Sequence, residues 1–219
     1  MLELSVKFLL SYFVGSVMGS MVVGWFRGGV DIRTMGSGNA GGTNALRTQG
    51  WIFALGVVII DVGKGALGAG VVPGLNLPYV GTDPTLSREW LMLCCAAAAV
   101  IGHVWPMWHN FKGGKGAATL GGTRVVLSPA LLLPVLLAWA IVLTSFGYVG
   151  FAKIAATITA PIFIEATRFP DAQPLFIYCV TMILMIIFTH RSNLQRMRDG
   201  SESRQVRLML FRRQHEPTK

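Results

Sequence analysis

Apolar positions along this chain gather into long runs: Leu4–Phe26, Trp51–Val72, Trp90–Trp105, Val125–Ser145, Tyr148–Ala166 and Leu175–Thr189. Most are long enough to approach or cross a hydrocarbon core about 30 Å thick, which takes roughly 20 helical residues. The pattern predicts an all-α, polytopic integral membrane protein. The first run continues past Gly19 and Ser20 to Trp25 and Phe26 before it meets Arg27, which marks a retained helix rather than a signal peptide. Gly15, Gly19 and Gly24 give that helix a small-residue face, read here as internal packing.

The polar connections decide the topology. Positive residues stay in the cytoplasm. Arg27–Gly50, His109–Gly116 and the chain after Thr189 therefore share the cytoplasmic side, and Pro73–Glu89 and Arg168–Pro174 face outward. Gly116–Ser145 is the test, because Pro129 and Pro134 lie inside it. Counted as one span, it would send the basic C-terminus outside. Counted as two short helices turning near Ser128-Pro129, it keeps every basic segment inside. This predicts seven transmembrane helices, N-terminus outside and C-terminus cytoplasmic. Residues 117–127 are short for a crossing, and a re-entrant element would fit as well.

Composition agrees with this picture. Hydrophobic residues make up 53% of the chain and charged ones 13%, with mean hydropathy +0.56, which excludes a water-facing surface. We expect one membrane-embedded domain, 1–219, ending in a basic cytoplasmic tail, 191–219. The net charge of +9 is concentrated there, in Arg191, Arg196, Arg198, Arg204, Arg207, Arg212, Arg213 and Lys219. Such a tail reads as an anchor on anionic lipid, and no nucleic-acid partner is expected. Within it, VRLMLF (Val206–Phe211) fits either a membrane-surface segment or a short solvated helix. Cys94, Cys95 and Cys179 lie in apolar runs without metal-ligand spacing.

Three polar, glycine-bearing segments fall at the cytoplasmic face: Gly36–Arg47, Gly102–Thr119 and His190–Glu202. FKGGKGAAT (Phe111–Thr119) resembles a nucleotide-binding loop, but Gly116 follows Lys115 where that loop needs a hydroxyl for magnesium. What survives is an anion site. Gly113, Gly114 and Gly116 would let backbone N–H groups approach an oxyanion, and Lys112 and Lys115 would add charge at the start of the next helix. The competing reading is a flexible hinge with snorkelling lysines.

In the first segment Ser37, Asn39, Thr43 and Asn44 offer hydroxyl and amide groups beside Arg47, which can grip a phosphate in bidentate fashion. Such donors also stabilise an oxyanion in acyl transfer. In the last, His190 and Asn193 share a helix face, flanked by Arg191 and Arg196, and the histidine can orient or deprotonate a hydroxyl. His103, beside Gly102 and near Pro106, reads as structural at least as readily. Asp61 and Lys64 at i, i+3 inside the second helix would each be costly alone, so they pair or face the site. Lys153, one turn from the inner surface, can reach the anion site; Glu165, near the outer end, reads as interfacial.

A cation-rich pocket at the inner leaflet suits anionic substrates that meet at a lipid surface. Two classes stay open: a transferase joining a soluble phosphate to a lipid-linked donor, and a transporter of phosphate or an organic anion. A transporter would place its site near the midplane between repeated halves, and no internal repeat is visible.

SGNAGGTNALR, GHVWPMWHNFKGGKGAAT and HRSNLQRMRDGSE, with DVGKG (Asp61–Gly65), resemble in order the motifs of the bacterial acyl-phosphate-dependent glycerol-3-phosphate acyltransferases, the PlsY family. The resemblance implies a seven-helix inner-membrane enzyme with its active site facing the cytoplasm. It implies transfer of a fatty acyl group from acyl phosphate to the 1-hydroxyl of sn-glycerol 3-phosphate, giving lysophosphatidic acid and phosphate in phospholipid biosynthesis. It assigns catalysis to Ser37, Asn39 and Arg47, acceptor binding to Gly113, Gly114, Lys115 and Gly116, activity to His190 and Asn193, and support to Glu202. Acyl phosphate, glycerol 3-phosphate and membrane lipids are the expected partners, with no cofactor and no metal. Two departures stand out. Gly42 occupies a usual alanine position, and YVGFAKI (Tyr148–Ile154) carries Gly150 and Lys153 where the family has a serine-bearing run.

Overall fold

The computed structural model describes residues 1–210; Arg212, Arg213 and Lys219 of the expected basic tail, and Phe211 of VRLMLF, lie outside the described residues. The long apolar runs become helices. These are α1 (Leu2–Ser16), α2 (Gly19–Phe26), α3 (Gly42–Gln49), α4 (Trp51–Ala66) and α5 (Arg88–Val104), followed by α6 (Ala117–Leu127), α7 (Leu132–Phe146), α8 (Val149–Arg168), α9 (Gln173–Thr189) and α10 (Arg191–Arg198). Among the described residues there is no β-strand, only an isolated bridge between Leu77 and Val80.

Among the described residues, four helical stretches are long and apolar enough to cross a membrane, Trp51–Gly74, Arg88–His109, Pro129–Phe146 and Val149–Arg168, and six if the bent pairs α1+α2 and α9+α10 each count as one. The expected turn at Ser128-Pro129 separates α6 from α7. Helix α6, at eleven residues, extends only about 16 Å.

The first run is not one continuous helix. It breaks at Val17, which is extended, and α1 meets α2 at 43°. The partners of the break come from α4. Lys64 Nζ donates to the Val17 carbonyl at 2.6 Å, and Asp61 Oδ1 accepts from the Gly19 N–H at 3.2 Å. The two side chains also pair with each other at 3.0 Å, and both are buried. Two charges that are expensive inside a bilayer thus satisfy each other and the backbone groups that the break frees. The small-residue face packs internally: a Cβ on Gly15 would overlap the Ala99 carbonyl of α5, and one on Gly19 would meet the Val57 carbonyl of α4.

The main apolar core joins α5, α6, α8 and α9 through Val100, Leu120, Ile154, Met182 and Ile186. A smaller one, with Ile32, Ala45, Phe53 and Val57, clamps the loop before α3 and α3 itself onto α4. Together they bring the α2–α4 connection, the α5–α6 loop and α10 to one end of the bundle. Cross-links show the convergence: Lys153 reaches Thr43, Lys115 reaches Asn193, and Arg33 reaches the Lys112 carbonyl. At the opposite end, Arg88 at the start of α5 pairs with Glu3, which also pairs with Lys7.

Candidate active site

A polar cavity of about 600 Å³ opens at that convergent end. Ser37, Asn39, Thr43 and Arg47 line it from the first segment, Lys115 from the α5–α6 loop, Lys153 from α8, and His190 and Asn193 from the α9–α10 junction. A second cavity of about 350 Å³ adjoins it, sharing Ser37, Asn39, Lys115 and Arg196 and adding Gly113, Gly114, Arg191 and Ser192. Arg47, Lys115, Lys153 and Arg196 face the larger cavity with Glu202 as its carboxylate, so the site favours anions.

Lys115 is tethered at both ends. Its ammonium donates to the Asn193 side-chain carbonyl and, at 3.3 Å, to Ser192 Oγ, while its main-chain carbonyl accepts from Thr189 Oγ1 at 3.0 Å. Asn193 Nδ2 donates to Glu202 at 2.5 Å, and Arg196 Nε donates to the other Glu202 oxygen at 2.6 Å. Burial, with Arg196 nearby, lowers the Lys115 pKa to about 8. The ammonium is therefore charged at neutral pH but loosely so.

His190 follows the last residue of α9 and is 1% exposed. Its Nδ1 lies 2.9 Å from the Ile186 carbonyl, which can only accept, so Nδ1 carries the proton and Nε2 is left as an acceptor. Burial, with Lys153 as a neighbouring positive charge, pushes its pKa down to about 3. The ring is neutral at physiological pH. It can accept a hydrogen bond from a hydroxyl but has little capacity to retain a proton.

Three expectations need correction. The glycines of the α5–α6 loop do not present their amides to a ligand: Gly113 N–H donates to the Val104 carbonyl at 3.1 Å and Gly114 N–H to the His103 carbonyl at 3.0 Å. They are glycines because the loop runs against α5, where a Cβ on Gly113 would overlap the His103 carbonyl and one on Gly114 the His103 ring. His103 in turn packs its Nδ1 3.4 Å from Asp61, so the loop rests on the buried charge pair. Gly116 is a buried left-handed cap (φ 86°) beneath Val100, Val104 and Ile186 and lines neither cavity. Lys112 is exposed beyond two left-handed residues, Asn110 and Phe111, and is also absent from both linings.

The third correction is Asn44. Its Oδ1 accepts from the Ser37 N–H, and its Nδ2 donates to the Ile32 and Met35 carbonyls, at 2.9, 2.9 and 3.0 Å. That amide shapes the loop that presents Ser37. Thr43 accepts from Lys153 Nζ at 3.0 Å, a link between α3 and α8. Gly150, in the same departure from the family pattern as Lys153, sits where a Cβ would crowd Asn193 at 3.0 Å, so it lets α8 approach α10.

Nothing in the hydrophobic pattern marks the apolar groove beside the polar cavity. It has a volume of about 680 Å³ and is walled by Leu55 and Val58 of α4, Trp139 and Leu143 of α7, and Gln205 and Leu208. Thr43, Arg47 and Val149 line both groove and cavity, so the two spaces adjoin along those residues. Ser192, Ser201 and Ser203 also line these cavities without being singled out by the sequence pattern. Their position near His190 in the chain was the available signal.

An all-helical membrane protein with a cation-rich cavity beside an apolar groove defines a site for amphiphilic anions. Residues 5–200 match the family model described as glycerol-3-phosphate acyltransferase. The glycerol-3-phosphate acyltransferase of Salinibacter ruber is 37% identical over 215 residues, covering 93% of each chain, and that of Chlorobaculum tepidum is 35% identical, covering 90% of this chain and 94% of its own. Two crystal structures of PlsY (YgiH), an integral membrane glycerol 3-phosphate acyltransferase, superimpose with TM-scores of 0.77 for the glycerol 3-phosphate form and 0.76 for the lysophosphatidic acid form. Both are 30% identical and cover 92% of this chain and 94% of theirs. The chain belongs to the glycerol-3-phosphate acyltransferase family and is an acyltransferase of phospholipid synthesis, which displaces the anion-transporter alternative.

Proposed function

We propose that the donor is acyl phosphate and that the acyl group goes to the 1-hydroxyl of sn-glycerol 3-phosphate, giving lysophosphatidic acid and inorganic phosphate. The observation that carries this reading is the adjacency of the polar cavity and the apolar groove, which share Thr43, Arg47 and Val149. An acyl phosphate has one end for each. Its chain lies in the groove, and its phosphate meets Arg47 and the Lys153–Thr43 pair. The acceptor's phosphate takes the smaller cavity, where Lys115, Arg191 and Arg196 gather.

In this arrangement His190 Nε2 accepts a hydrogen bond from the attacking hydroxyl. The hydroxyl oxygen forms a bond to the acyl carbon, the bond from that carbon to the phosphate oxygen breaks, and phosphate leaves with the electron pair. A ring with so low a pKa orients the hydroxyl rather than keeping its proton, which departs with the phosphate. Ser37 and Asn39, lining both cavities, stand where the acyl oxygen gains charge. The donor is already activated, so positioning and charge stabilisation supply much of the acceleration.

The membrane arrangement that fits is seven crossing segments in a bacterial inner membrane, with α6 as a short one. The convergent end, rich in Arg33, Arg47, Lys115, Arg191 and Arg196, then faces the cytoplasm, in line with the positive-inside rule. Purified protein given palmitoyl phosphate and glycerol 3-phosphate should release lysophosphatidic acid and phosphate in equal amounts. Product from acyl-CoA or acyl carrier protein but not from acyl phosphate would overturn the donor assignment.

A further inference from the structure

After α10 the chain folds back on itself. The Ser201 and Glu202 N–H groups both donate to the Arg196 carbonyl, at 2.8 and 3.1 Å, and Glu202 holds Asn193 and Arg196. The segment 203–210 then crosses the α7–α8 turn and is pinned there repeatedly. Gln205 N–H donates to the Gly147 carbonyl at 2.8 Å, Arg204 Nε to the Phe146 carbonyl at 2.9 Å, and Leu210 N–H to the Thr144 carbonyl at 3.0 Å. The Arg204 guanidinium also stacks 5.5 Å from the centre of the Tyr148 ring. Gly147, left-handed at φ 76°, leaves the space that the Arg204 and Met209 side chains fill.

Between these pins Gln205 and Leu208 line the apolar groove together with Leu55 and Val58. Leu208 is 52% exposed there. The same short segment supplies Ser203 to the polar cavity, so it spans the junction of the two spaces. The match to the family model ends at residue 200, before this segment begins.

We infer that the strap 203–210 is a donor-positioning element in which Leu208 covers the acyl chain near its activated end, so that this chain discriminates long-chain from short-chain acyl phosphates. The inference rests on the groove holding the donor's acyl chain. Leu208 lines the groove together with Thr43, Arg47 and Val149, the residues shared with the cavity, and its strap also supplies Ser203 to the cavity, so it acts on the carbons close to the carbonyl. A fatty acyl phosphate lies along that lining, and acetyl phosphate is too short to reach it.

The test is steady-state kinetics of Leu208→Ala and, elsewhere in the groove lining, Val58→Trp, each with palmitoyl phosphate and with acetyl phosphate. Losing the leucine contact should raise the KM for palmitoyl phosphate by about tenfold. The KM for glycerol 3-phosphate and kcat/KM for acetyl phosphate should change less than about threefold. Val58→Trp fills the groove and should depress palmitoyl phosphate use selectively. If Val58→Trp acts and Leu208→Ala does not, the strap assignment falls while the groove reading stands. If Val58→Trp leaves palmitoyl phosphate use intact, the groove reading falls and takes the strap with it. If Leu208→Ala weakens both donors and the acceptor alike, the strap is a structural tie only, and the inference is overturned.

Discussion

The Lys115 ammonium is bonded to the side-chain carbonyl of Asn193, 78 positions further along the chain. The α5–α6 loop and α10 are thus one unit, and the amide end of the same asparagine passes the connection to Glu202. Asn193→Leu should cut kcat/KM for glycerol 3-phosphate by about 10- to 100-fold, the value of one or two charge-assisted hydrogen bonds. Asn193→Asp should also fail, since it sets a second carboxylate against Glu202. Unchanged acceptor kinetics in Asn193→Leu would falsify the tether.

Lys115 also sets a pH dependence. With its pKa lowered to about 8, the side chain is charged below that value and neutral above it. Phosphate binding should therefore weaken as pH rises through about 8, seen as an increasing KM for glycerol 3-phosphate. Lys115→Arg, charged throughout, should flatten that rise even if its overall activity is lower. His190, with a pKa near 3, stays neutral over the whole interval and adds no limb of its own.

Gly114→Ala separates two uses of a glycine. Its methyl would enter the space of the His103 ring, so the variant should lose about 1–3 kcal/mol of stability, read as earlier thermal inactivation in detergent. A phosphate cradle would instead give a higher acceptor KM at unchanged stability.

The Asp61–Lys64 pair should behave as a buried ion pair that also holds a helix break. Lys64→Met, which strands the carboxylate, should cost about 3–5 kcal/mol. The double variant Asp61→Asn, Lys64→Met should cost less than the sum of the two single changes, and strict additivity in a double-mutant cycle would argue against the coupling.

Lys153→Ser tests the donor end of the cavity. It removes a cation and the bond to Thr43, and it should raise the KM for acyl phosphate by about tenfold while leaving that for glycerol 3-phosphate nearly unchanged. Equal shifts in both constants would assign Lys153 to neither substrate in particular.

The convergence of three polar segments was readable because glycine, Asn or Ser and cations occur together in each of them, and membrane topology then brings such segments to one face. The roles of single residues were less readable. A glycine that admits a ligand and one that admits a neighbouring helix look identical in sequence, and Gly113 and Gly114 are the second kind. Asn44 looked like a binding group because an amide spent on its own loop has the same letter as one facing a substrate. The groove was invisible for a plainer reason: Leu55, Val58 and Trp139 have the composition of any lipid-facing surface. The break between α1 and α2 was hidden because its partners lie in α4, although the costly pair itself was evident.

The junction at Thr43, Arg47 and Val149 bears on product departure. With the chain in the groove and the phosphate in the cavity, the newly joined molecule already has its oily half on the bilayer side and its charged half on the aqueous side. Neither half has to change phase to leave. On the proposed donor and placement, the enzyme works as a partition boundary: release of the lipid is a sideways step into the leaflet while the inorganic phosphate goes to water.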